Sequence, residues 1–122
     1  MIDGMKFRQN LLRQFPELKE EIEENEGLVH MEMGALESLA NEHIKNGNFE
    51  GLQKAYNFIA TLFEEFRGTD PSVINAISVS FLEGLNFEDK KYGKRAKSLL
   101  PPELLKLWNE QMEHNQKIGW VK

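Results

Sequence analysis

Residues 46–68 read NGNFEGLQKAYNFIATLFEEFRG, and this stretch decides the fold class. Leu52, Ala55, Tyr56, Ile59, Leu62, Phe63 and Phe66 recur at three- and four-residue steps and so share one face of a helix. Gln53, Lys54, Asn57, Thr61 and Glu64 fall opposite. The helix is bracketed on both sides. Gly47 suits the left-handed residue that closes a preceding helix, Asn48 caps this one, and Gly68 stops it. A link as short as 46–48 joins antiparallel neighbours.

Downstream, Thr69-Asp70-Pro71 opens a fifth helix, with Asp70 as its cap and Pro71 at its first position. Val73, Ile74, Ile77, Phe81 and Leu85 form its core face. Val79 and Leu82 widen the apolar coverage, which predicts the most buried helix of the chain. Ser80 and Gly84 lie along one edge, small enough to admit a neighbouring helix. A basic segment over 90–97 precedes Pro101-Pro102, which starts a last helix burying Leu104, Leu105, Trp108, Met112 and Ile118.

Upstream, Met33, Leu36, Leu39, Ala40 and Ile44 predict a helix over 31–45. Phe7, Leu11 and Phe15 make a narrow stripe over 5–15. Pro16 then suits the first turn of a helix over 17–25, which has only Leu18 and Ile22 to bury and stops at Gly27. Strand alternation occurs nowhere over a useful length. The expectation is an all-α chain, one domain over 1–122. Its architecture is a compact bundle of about five to seven helices, with stacked antiparallel helical pairs as one arrangement.

Several kinds of chemistry lack their residues. The chain has no cysteine, which removes disulfides, thiolate metal sites and cysteine nucleophiles together. His30, His43 and His114 include no pair at the helical spacing of a zinc protease, and none follows a glutamate by three residues as a di-iron bundle requires. All three read as surface residues, and no metal or other cofactor is expected. Ser78, Ser80 and Ser98 lack the flanking glycines of a nucleophile elbow.

The net charge of −5 argues against an indiscriminate nucleic-acid binder, which needs a cationic surface. No apolar run reaches the length of a membrane span, and the first six residues do not read as a secretory signal, so the expected location is the cytoplasm.

Charge is concentrated in two places. Six glutamates stand between Glu17 and Glu26, with Lys19 as the only basic residue among them. Such a run is either a solvated face or an electrostatic docking surface, for which Glu20, Glu21, Glu23 and Glu24 are the candidates. Lys90, Lys91, Lys94, Arg95 and Lys97 are the counterpart, read as balancing the acidic helix or as a solvated linker. Phe58, at the edge of its stripe, and Trp120, near the end of the chain, are the aromatic candidates for an interface.

Phe15-Pro16-Glu17-Leu18, Gly47-Asn48-Phe49-Glu50-Gly51-Leu52 and Val73 to Glu83 resemble the motifs of a family of small bacterial helical proteins of uncharacterised function. The similarity covers roughly Leu11 to Trp108. It implies no established enzymatic activity, and an association with toxin–immunity loci for some relatives. No catalytic residue carries over. The resulting expectation is a non-enzymatic protein-binding module, of the immunity type that masks a bacterial toxin. The alternatives are an enzyme dependent on a metal or small molecule, and an inert oligomerising adaptor.

Overall fold

The computed structural model describes residues 4–25, 27–64 and 71–117. Side chains at 63, 64, 71, 72, 74, 78 and 114–117 lie outside this description. Seven α-helices and no strand occur among the described residues: α1 (Gly4–Gln14), α2 (Lys19–Glu24), α3 (Val29–Asn46), α4 (Phe49–Glu64), α5 (Pro71–Ala76), α6 (Gly93–Ser98) and α7 (Pro102–Lys117). The chain is all-α. The expected stop at Gly68 and cap at Asp70, and the core positions assigned to Phe63, Phe66, Ile74 and Ile118, lie outside the described residues.

Pro16 starts a single 3-10 turn, Pro16–Leu18, before α2 begins. The expected helix over 17–25 is therefore split into two short pieces, held by buried Leu18 and Ile22. α5 likewise does not run on as an α-helix: Ile77–Leu82 is π-helical. Ile77, Phe81 and Leu82 are fully buried there. Val79 is 43% exposed, so it does not widen the buried face as expected. It lies about half a turn from Ile77 around the helix, so it faces out when Ile77 faces in. The basic segment is ordered as α6, with the Asp89 carboxylate accepting the main-chain N–H groups of Lys91 (3.0 Å) and Tyr92 (2.8 Å) before its first turn.

α3 is the hub, packing against α1, α2, α4, α5 and the π-helical turn. Met33, Leu36, Ala40 and Ile44 are fully buried on it. From α4, Leu52, Ala55, Tyr56, Ile59 and Leu62 meet this core, as the periodicity requires. α3 ends where Gly47 takes φ +69°, with Asn48 N–H donating to the His43 carbonyl at 2.8 Å. Asn48 Oδ1 then accepts the Gly51 N–H at 3.1 Å and caps α4.

A Cβ at residue 47 would also stand 2.6 Å from the Tyr92 ring. Gly47→Ala is accordingly expected to cost at least about 1–2 kcal/mol, the penalty of the left-handed backbone alone. Urea denaturation of both proteins measures it, and an unchanged midpoint would contradict this account of the link.

On the far side of the link, the buried Tyr56 hydroxyl donates to the Ala96 carbonyl at 2.8 Å. That bond ties α6 to α4, and burial holds the Tyr56 hydroxyl well above the ordinary tyrosine range of ionisation.

Candidate functional site

α2 is anchored on one side by Leu18 and Ile22, which stand four residues apart and face the core. Glu20, Glu21, Glu23 and Glu24 are consequently all exposed. Lys19 approaches Glu23 at 3.9 Å, but both side chains are more than half exposed, so the pair offsets little of the helix charge. Asn25 Nδ2 donates to the Glu21 carbonyl at 2.9 Å and closes the helix.

The turn that follows is fixed from beneath. Gly27 takes φ +86°, and its N–H donates to Glu32 Oε2 at 3.3 Å. Glu32 is fully buried, with Arg8 of α1 at 3.6 Å from the same oxygen. The buried carboxylate therefore joins α1, the Gly27 main chain and α3 at one point. Leu28, held between them, is left 56% exposed.

Leu28 is not alone. Met5 is 60% exposed, Met31 55% and Val79 43%; these four are the exposed large apolar residues of the described chain. Leu28 and Met31 line one recess at the first turn of α3, with Gly27, Val29 and His30. Gly4 sits against Val29, where a Cβ would stand 2.9 Å from the valine methyl, so α1 begins beside that turn. His30 Nδ1 lies 2.6 Å from Ser80 Oγ, which brings Val79 alongside. Leu28 and Met31 thus stand exposed just after the acidic α2 in the chain.

Farther along α3, Gly84 admits the Glu37 side chain, since a Cβ at residue 84 would overlap the carboxylate. Asn41 bridges the contact, donating to Glu37 Oε1 (3.1 Å) and the Gly84 carbonyl (2.9 Å) and accepting the Asn86 N–H (2.8 Å). The close approach expected at Ser80 and Gly84 is thus made by α3. Burial pushes the Glu37 carboxyl above its ordinary range, and the Asn41 hydrogen bond partly offsets this.

A carboxyl raised on folding binds its proton more readily in the native state, so stability falls as pH rises through the raised range. Glu37→Gln is expected to flatten that decline. Melting temperatures from about pH 4 to pH 7 compare the two slopes, and identical slopes would contradict it.

The other expected site residues fare differently. Phe58 is only 4% exposed, which corrects its reading as an exposed anchor. It packs edge-on against Phe15 (5.4 Å between ring centres) and beside Phe7 (6.3 Å), so α1 gives α4 a second covered flank. Trp120 and the side chain of His114 lie outside the described residues. The His30–Ser80 pair is exposed, and no described carboxylate orients the other ring nitrogen as a nucleophile–base pair needs. His43 is half-buried, its Nδ1 3.2 Å from Asn48 Nδ2. Among the described residues no group of three His, Asp or Glu is placed to hold a metal ion.

Among the described residues no ion pair joins α2 to α6. α6 packs on Phe49 and Tyr56, with Arg95 4.7 Å above the Phe49 ring and Lys97 4.2 Å from Trp108. Phe58, which carries Phe15 and the entry to α2, stands about half a turn away around α4.

Fold and surface together define a compact all-helical chain with an exposed acidic helix and exposed apolar residues. Residues 8–115 match the family model DUF7674, described as a domain of unknown function, and the chain belongs to that family. Neither a curated protein nor a solved structure matches it. No described helix is long and apolar enough to cross a membrane.

Proposed function

We propose that this chain is a non-enzymatic protein-binding module, which docks a cationic protein on acidic α2 and the exposed Leu28 and Met31 that follow it. One observation carries the reading: Leu28 and Met31, both exposed, line one recess directly after the four exposed glutamates of α2. Apolar residues gathered at one exposed place mark interaction surfaces, and methionines adapt to a partner's shape. The acidic helix selects a partner of opposite charge and speeds its arrival. A bacterial immunity protein is the finer form of this proposal. A toxin that acts on nucleic acid carries a cationic face, and this chain's acidity is suited to masking it. The resemblance to a family with relatives in toxin–immunity loci supports the same reading.

The experiment is affinity capture from the native organism followed by mass spectrometry, run in parallel with Leu28→Ser/Met31→Ser. Both residues are exposed, so the double variant should fold. The expected result is one basic protein recovered by the native chain and lost by the variant. Recovery of the same proteins by both, or of none by either, would contradict the proposal. The finer form further requires that the captured protein be toxic when expressed alone and harmless beside this chain.

A further inference from the structure

α2 and α6 match each other in everything but the sign of their charge. Each is six residues long, and each carries one fully buried residue in its middle, Ile22 in α2 and Ala96 in α6. Glu20, Glu21 and Glu23 stand two before, one before and one after Ile22. Lys94, Arg95 and Lys97 stand at the same three offsets from Ala96. At about 100° per residue, either set covers an arc of about 160° centred opposite the buried residue. The outward face of α2 is therefore acidic, and that of α6 is basic.

Neither face is neutralised within the chain. Lys90 and Lys91 precede α6 and add to its charge, against Glu88 and Asp89 in the same segment. The Asp89 carboxylate is engaged by the main-chain N–H groups of Lys91 and Tyr92. Among the described residues no carboxylate forms an ion pair with any of these five cations. Lys91, Arg95 and Lys97 stand over the rings of Tyr92 (5.2 Å), Phe49 and Trp108, contacts that hold the cations without cancelling their charge. On α2 only Glu23 has a cation nearby, the exposed Lys19.

We infer that α6 docks a second copy of this chain, with α2 of one copy lying against α6 of the other. Opposite charges at equal offsets meet whichever way the two helices run. A nucleic-acid phosphate chain is also drawn to cations, but it requires neither the matched length nor the shared offsets. Both faces have apolar surface to bury on contact. Leu28 and Met31 are exposed just after α2, and Phe49, Tyr92 and Trp108 are half-buried beside α6. Two copies that each use both helices close a two-fold pair, and otherwise the contact repeats head to tail. Either form keeps the same pairing of α2 with α6.

The association is weak, because exposed ion pairs contribute little singly and the net charge of −5 on each copy opposes approach. It covers α2, and so competes with a foreign cationic protein for that helix. The inference does not rest on the docking of such a protein, since it needs only the two helices described.

The test is sedimentation velocity of the purified full chain at low and high ionic strength. A species heavier than the monomer should form at low salt and disappear at high salt. Glu20→Lys/Glu21→Lys and Lys94→Glu/Arg95→Glu should each weaken self-association about tenfold or more. An equimolar mixture of the two variants should regain it, and so should a chain carrying all four reversals. In both cases an acidic helix again meets a basic one. If Lys94→Glu/Arg95→Glu fails to fold, Lys90→Glu/Lys94→Glu, which disturbs no ring contact, takes its place. A monomer at every salt concentration would overturn the inference, as would association that neither the mixture nor the fourfold chain restores. Binding of a labelled oligonucleotide through α6, in place of self-association, would overturn it too. These measurements use the chain alone, so their failure leaves the affinity capture to stand or fall separately.

Discussion

Phe81→Ala is expected to destabilise the chain by about 3–5 kcal/mol, the largest loss of any single side chain considered. Phe81 is fully buried in the π-helical turn, which packs on α3 and α7 as well as on α5. Removing the ring loses its transfer free energy and leaves a cavity that three elements must relax to fill. Ile77→Ala, one helical turn earlier and equally buried, should cost about 2–5 kcal/mol. Denaturant unfolding measures both. A loss below about 1 kcal/mol at both positions would mean that this segment is not central to the core.

Arg8→Met is expected to cost about 3 kcal/mol, because it removes a cation from a carboxylate that has left water completely. The methionine preserves much of the packing volume, so the loss is mainly electrostatic. Adding Glu32→Gln to the same chain should recover part of it, since the neutral amide no longer needs the guanidinium. Unfolding free energies of the two single variants and the double give the coupling. Simple additivity would show that the two side chains do not depend on each other. A functional consequence follows, because Glu32 also holds the Gly27 N–H. Loosening this point should disturb the turn that presents Leu28, and should weaken partner binding as well as stability.

The elements that the sequence made legible are those with local causes. Pro16, Gly47, Asn48, Pro71 and Pro102 act on the backbone where they stand, and each falls at an element boundary. The α4 stripe was readable because one face of one helix meets the core. The misreadings have a common origin in contacts between distant segments. Phe58 lies off the main stripe, and nothing local says that Phe7 and Phe15 cover that flank.

The exposure of Met5, Leu28, Met31 and Val79 had no periodic signal, because which apolar residues stay uncovered is decided only when α1, α3 and the π-helical turn assemble. Glu32 did leave a trace. It stands four residues before Leu36 and eight before Ala40, on the buried stripe of α3, where a carboxylate requires a partner. The identity of that partner, Arg8, is a property of the fold.

The acidic helix is the point at which chemistry and proposed function meet. Four exposed glutamates on six residues repel one another, and Lys19 offsets only part of that repulsion. The most direct measurement is the association rate of the captured partner against ionic strength, for the native chain and for Glu20→Lys/Glu23→Lys. The native rate should fall steeply as salt rises. The reversed variant, folded to the same extent by circular dichroism, should associate about tenfold more slowly at low salt and lose most of the salt dependence. Equal rates with equal salt slopes would contradict the account and leave α2 a merely solvated face.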